Sequence, residues 1–235
     1  MALVVKGIRK FYGKLEVINK ISFKVRSGEF ICIIGESGCG KTTLLKIIAG
    51  LEKPDEGSIE FSGEVRIGFV FQDDRLLPWK TAIENVLFAA KSFGMEDIKE
   101  AREILKLVGL EGFENFYPRQ LSAGMRQRVG IARALVINPS ILLMDEPFAN
   151  LDAQTREKMQ EEISKILKNR TVIFVTHSIE ETVYLADRIV VLSPRPSKVF
   201  RVIPVNIGRP RDRTSVDFLR VKSKVRDALY KAKKI

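Results

Sequence analysis

Five short apolar runs punctuate the chain, at residues 30–34, 67–71, 141–144, 172–175 and 189–192. They are nearly continuous rather than alternating, the pattern of strands covered on both faces, and several end beside glycine or polar residues. Together they predict a largely parallel sheet. From about residue 81 to 138 the pattern changes. Ala82, Val86, Ala89 and Ala90, then Ile104, Leu105 and Val108, recur at helical spacing with no strand run between them, which predicts an inserted helical subdomain. Ahead of the first run, Val17, Ile18, Ile21, Phe23 and Val25, broken by Gly13 and Gly28, predict short antiparallel strands. At the far end, Phe218, Val221, Val225 and Leu229 lie at helical spacing among many cations, predicting a basic amphipathic helix within 209–235. That helix would pack on the sheet domain or lie near anionic lipid. The fold class expected is α/β in a single domain. Its core covers 1–80 and 139–208 with an N-terminal antiparallel β subdomain, 81–138 is the helical insert, and 209–235 is the basic helix.

The chemistry sits where apolar runs stop. Gly35-Glu36-Ser37-Gly38-Cys39-Gly40-Lys41-Thr42-Thr43 joins the first run to a segment with Leu44, Leu45, Ile47 and Ile48 at helical spacing. This is G-x-x-x-x-G-K-[ST] in the required order of strand, loop and helix, and it points to nucleotide binding. Glycines let backbone N–H groups wrap phosphate oxygens, and the helix N-terminus adds partial positive charge. Lys41 is placed to reach the β- and γ-phosphates, and the Thr42 hydroxyl to ligate Mg2+. The run at 141–144 ends in Asp145 and Glu146, two acids at the carboxyl edge of the sheet, where α/β proteins bind ligands. Asp145 would hold Mg2+ through water, and Glu146 would polarise the water that attacks the γ-phosphate. His177, the single histidine, follows the run ending at Thr176 and fits a γ-phosphate contact. Gln72 follows 67–71 and could touch Mg2+ or the attacking water, although a polar turn residue would look the same. The segment 121–135 opens on Ser122, a good N-cap, with Met125, Val129, Ala132 and Val136 at helical spacing; by local physics it is a capped helix.

With 235 residues and 45% hydrophobic content the chain can bury a sizeable core, which excludes disorder as its main state. No apolar stretch reaches the roughly 18 residues needed to span a bilayer, and the first residues lack a signal-peptide layout, so a cytosolic chain is expected. Cys32 and Cys39 are the two cysteines, too few for a disulfide framework. The net charge of +11 is uneven: residues 209–235 carry ten Lys/Arg against three Asp, a net +7. Nucleic acid, anionic lipid and an acidic protein all suit such a tail, and charge alone does not choose among them.

Taken together these motifs, spread over residues 6–198, resemble the ATP-binding subunit of an ABC transporter. The resemblance identifies Gly35 to Thr43 as the Walker A loop, 141–145 as the Walker B strand, Glu146 as the catalytic glutamate, Gln72 as the Q-loop glutamine and His177 as the switch histidine. It makes Tyr12, in Phe11-Tyr12-Gly13, the aromatic that stacks on adenine, Asn150-Leu151-Asp152 the D-loop, and Leu121 to Met125 the LSGGQ signature. It implies ATP and Mg2+ as cofactors, and two subunits that sandwich two ATP molecules, with Ser122 and Gly124 of one facing the Walker residues of the other. Closure would drive permease subunits through residues 73–80, where Trp79 is either a contact or a half-buried anchor. The implied location is the cytoplasmic face of the membrane, through partner subunits, with a solute-binding protein and no nucleic acid. Ala123 replaces the first signature glycine and is expected to slow rather than abolish hydrolysis. Met125 replaces the signature glutamine, which removes the back-bond of a capping box. Residues 72–79, 124–130 and 193–196 resemble importers of nitrate, aliphatic sulfonates and taurine, whereas Phe148-Ala149-Asn150-Leu151-Asp152 departs from that subgroup. Two other readings remain open here: an ABC ATPase acting on nucleic acid, and an ATP-binding switch with weak turnover.

Overall fold

Where the chain alternates apolar runs with capped, amphipathic segments, strands and helices alternate in space. The computed structural model describes residues 2–95 and 97–234. In chain order its elements are β1 (Leu3–Tyr12), β2 (Leu15–Val25), β3 (Phe30–Ile34), α1 (Lys41–Ile48), β4 (Glu56–Phe61), β5 (Ile67–Val70), α2 (Ala82–Lys91), α3 (Ile98–Leu107), α4 (Ala123–Leu135), β6 (Ile141–Asp145), α5 (Ala153–Ile166), β7 (Val172–Thr176), α6 (Ile179–Leu185), β8 (Arg188–Leu192), β9 (Val199–Pro204) and α7 (Val216–Ala232). The chain divides into two compact units, Met1–Glu64 with Asn169–Ile235, and Val65–Lys168.

In the first unit β3 runs parallel to β7 on one side and to β8 on the other, and β9 adds antiparallel to β8. Every residue of β3 and β7 is buried, which is why their sequences are continuously apolar. Helix α1 packs by β7, α6 on β3, and α7 against α6, β8 and β9. Phe218, Val221, Val225, Ala228 and Ala232 form the inward stripe of α7, so the basic helix packs on the sheet, as one of the two expectations for it had it. Its cap is Ser215, whose hydroxyl accepts from the Phe218 N–H, so the helix starts seven residues inside the basic segment. A separate three-stranded antiparallel sheet has the order β2-β1-β4.

The N-terminal strands are long, ten and eleven residues, rather than short. Register shifts between Val5 and Phe11 keep β1 paired with β2, with Gly7 inside the strand at φ 57°. Strand β4 is almost wholly exposed and β9 is an edge strand ending in Pro204. Neither buries a full face, so neither left a strong apolar signal in the sequence.

In the second unit β5 and β6 pair in parallel, from Ile67 opposite Ile141 to Val70 opposite Met144. Helix α4 packs against β5, α2 and α3, so residues 81–138 form the expected run of helices between two strands. A capping box fixes the start of α2: the Thr81 hydroxyl accepts from the Glu84 N–H, and the Glu84 carboxylate accepts from the Thr81 N–H at 2.7 Å.

Candidate active site

In the first unit, β3 and β7 are in register up to Ile34 opposite Thr176. Gly35 and His177 are therefore the residues that follow the carboxyl ends of adjacent parallel strands, the edge where α/β sheets bind ligands. From Gly35 the chain loops into α1 through Gly38 at φ 77° and Gly40 at φ 100°, both in the left-handed region that favours glycine. A Cβ on Gly40 would also lie 2.9 Å from the Val17 side chain. Gly40 is the N-cap of α1 and offers no side-chain cap, and the first helical turn holds no acid. The leading N–H groups and the positive end of the helix are thus left for an anion. Ser37 is exposed and Cys39 buried. Lys41 is only 4% exposed, and its Nζ donates to the carbonyls of Gly35 (3.0 Å) and Glu36 (2.9 Å), so the ammonium lies within the loop's own curve. Thr42 and Thr43 occupy the same first turn, half-buried.

Tyr12, 49% exposed, ends β1 with its hydroxyl donating to Glu52 at 2.5 Å and the Lys10 Nζ 5.6 Å from its ring centroid. The phenol is pushed above the usual tyrosine value, by burial of its hydroxyl end first and by Glu52 next, against Thr43, whose side chain hydrogen-bonds it and lowers it. That contact ties Tyr12 to the first turn of α1. A half-exposed aromatic ring beside the phosphate loop is what stacking on a base requires.

In the second unit, β5 and β6 place Gln72 just beyond one strand end, Asp145 as the last residue of the other and Glu146 immediately after it. Asp145 is 4% exposed and Glu146 half-buried. Glu146 has φ 43°, a left-handed conformation unusual for a non-glycine residue, and a local cost of this kind is typical of working sites. Ser122 caps α4, its hydroxyl accepting from the Met125 N–H at 3.2 Å, and Asp152 caps α5, accepting from the Thr155 N–H at 3.0 Å. The two helix starts are packed together at Gly124, where a Cβ would stand 3.2 Å from the Thr155 methyl. Ser122 and Ala123 face solvent, as a contact offered to another molecule would. Ala123 is the first residue of α4 and has no left-handed backbone, so alanine there carries no conformational strain.

Among the described residues no group of three His, Cys, Asp or Glu could hold a metal ion. The donors identified from the sequence, the Thr42 hydroxyl, the Gln72 amide and the Asp145 carboxylate, are hard oxygen ligands. That set fits Mg2+, which takes few protein ligands and fills its octahedron with phosphate oxygens and water.

The structure adds contacts that the motifs do not show. The Arg195 guanidinium lies beside the phosphate loop, 3.4 Å from where a Gly38 Cβ would be. Lys233, at the end of α7, pairs with Glu36 of the same loop. Behind Gln72, Asp74 is bound by Arg126 at 2.9 Å, and Arg133 donates to the carbonyls of Asp74 (2.8 Å) and Arg75 (2.7 Å), so α4 holds the segment after the strand end. Trp79 in that segment is 70% exposed, which excludes the half-buried anchor.

Comparison with known proteins adds independent findings. The ABC transporter family model matches residues 18–149. An uncharacterized ABC transporter ATP-binding protein of Methanocaldococcus jannaschii is 47% identical over 97% of this chain and 91% of its own length. The aliphatic sulfonates import ATP-binding protein SsuB is 44% identical in Bacillus cereus, over 96% of this chain and 94% of that protein, and 42% identical in Bacillus subtilis, over 90% and 86%. A solved dimeric ATP-binding cassette in a post-hydrolysis state, bound to ADP and Pi, superposes with a TM-score of 0.77 at 35% identity, covering 88% of this chain and all of that one.

Proposed function

The chain belongs to the ABC transporter family, and on that premise we propose that it powers an importer of small anionic solutes such as sulfonates, taurine or nitrate. It is the family's ATP-binding cassette, a P-loop NTPase that hydrolyses ATP with Mg2+. The observation that supports the solute class is identity of 42–44% to sulfonate-import ATP-binding proteins over nine-tenths or more of the chain. Selection of the solute would belong to membrane subunits and a solute-binding protein; this chain supplies the drive from the cytoplasmic face of the membrane.

In this reading Gly35, Ser37, Gly38, Cys39 and Gly40 wrap the phosphates, and Lys41 exchanges its loop carbonyls for β- and γ-phosphate oxygens. Thr42 and Asp145 would hold Mg2+, with Gln72 at that ion or the attacking water, and the bound ion would supply positive charge against the phosphates. Thr43 extends the turn and Tyr12 stacks on the base. Glu146 takes up the proton of the attacking water, and His177 contacts the γ-phosphate. Ser122, Gly124 and Asp152 act on the nucleotide of a second copy, because an uncluttered helix N-terminus offers N–H donors to a γ-phosphate that ADP lacks. The division of labour is then a core at 1–80 and 139–208, a signature subdomain at 81–138 and the basic helix of 209–235. Trp79, Phe88 and Phe93, all exposed, suit a permease contact in the second unit. The tail favours a structural use over nucleic acid. Arg211 donates to the carbonyls of Val183, Tyr184 and Ala186, while Arg209 pairs with Asp187, and Arg213 and Lys222 with Glu180.

The test is the solution mass of Glu146→Gln with and without MgATP. Loss of the base should trap the sandwich, giving monomer alone and dimer with ATP; binding of ATP without dimerisation would overturn the shared-site reading. For the solute, ATPase activity of the assembled importer should rise with sulfonate-loaded binding protein.

A further inference from the structure

Five of the ten tail cations, Arg209, Arg213, Arg220, Lys222 and Lys233, pair with carboxylates, and Arg220 and Lys224 also line a concavity. A cleft of ≈ 480 Å³ lies between β9 and α7, with Ile203 and Val221 at its apolar floor and Arg201, Arg220 and Lys224 along its walls. The lining includes one carboxylate, Asp217, already paired with Arg220 at 3.1 Å. Arg201 rests over the Phe200 ring, and among the described residues no carboxylate pairs with Arg201 or Lys224. Elsewhere on α7, Lys222 is paired with Glu180 at 2.8 Å and does not line the cleft.

We infer that this cleft binds a small organic anion, a sulfonate, carboxylate or phosphate ester carrying a short apolar body. Its volume falls in the range of small-molecule sites, roughly 300–1,000 Å³. Three cations against one carboxylate leave a net positive charge that a mono- or dianion neutralises, and guanidinium groups match planar or tetrahedral oxyanions with paired N–H donors. The apolar floor separates the expected ligand from an inorganic ion: Ile203, Val221 and the half-open Val202 would cover an alkyl body while the head meets the cations. Shape argues against a membrane surface as the occupant, because a bilayer meets convex faces and this one recedes. None of the cleft residues belongs to the nucleotide site, so the two can be read separately.

The experiment is chemical-shift mapping of the full chain saturated with MgADP, which keeps anions off the phosphate loop, titrated with butanesulfonate, with sodium sulfate and with butanol. Butanesulfonate should shift amides of β9 and α7 saturably, at least about threefold tighter than sulfate, and butanol should not shift them. Arg201→Ala/Lys224→Ala should weaken butanesulfonate about tenfold or more with MgADP affinity unchanged, and Lys224→Arg should retain it. No saturable shift at β9 and α7, or equal binding by the double variant, overturns the proposal. So does binding of anionic phosphatidylglycerol vesicles that the double variant loses and butanesulfonate does not displace, since that would make the cleft part of a lipid-docking face.

Discussion

Lys41 shows how a single side chain is prepared for its ligand. A buried ammonium needs acceptors, and the two loop carbonyls that satisfy it at 3.0 and 2.9 Å hold it where phosphate oxygens can replace them. Tyr12 is held differently, by its hydroxyl to Glu52, while the residue stays about half exposed. Replacing Tyr12 with Ala should remove roughly 1–3 kcal/mol of base stacking, weakening MgATP about tenfold or more in a fluorescent-nucleotide titration, while Tyr12→Phe should stay within a few-fold. Ala123 was legible as a departure from the signature, but its consequence was not. Its helical backbone removes strain as a cause of slow turnover and leaves only crowding of a phosphate by the methyl. Ala123→Gly should therefore raise steady-state hydrolysis modestly; an equal rate would make alanine a neutral replacement.

Elements were readable to the extent that they bury a face. β3 was legible to its ends, and β5, β6, β7 and β8 to within a residue at each, because each is a run of apolar residues bounded by polar or glycine positions. The edge strands β4 and β9 were not, since an exposed strand is held by backbone pairing that any sequence can supply. Caps set the helix starts, and one carries a pH signature. Asp152 is held below the ordinary aspartate value of 3.8 by the side chain of Thr155 first and by backbone N–H groups next. The fold prefers its charged form, so its contribution is complete above pH 3.8 and is lost as pH falls through the lower folded value. Thermal midpoints of the wild type and Asp152→Asn should differ by a constant amount from about pH 8 to 5 and converge below about pH 4. A gap that persists into acid would mean that Asp152 acts other than through its charge.

At the scale of the whole molecule, the two cysteines report on packing. Cys32 and Cys39 are both buried, and burial raises both thiols, for Cys39 against the lowering pull of Lys41. A thiol reagent should find neither in the native chain within minutes and both in denaturant; prompt labelling of Cys39 would show the phosphate loop opening locally. The order of strand, glycine loop and helix, the acids at a strand's carboxyl end and the helical insert were all determined by the sequence by itself. Each is written in local spacing, where apolar period and glycine position act within a few residues. Only the tertiary structure decided that Arg195 stands beside Gly38, that Lys233 reaches Glu36 and that Arg126 and Arg133 hold the segment after Gln72. It also decided which basic residues of the tail are paired and which line an open cleft. These are meetings between groups far apart in the chain, and a charged residue shows the same local pattern whether its partner is a carboxylate, a carbonyl or water.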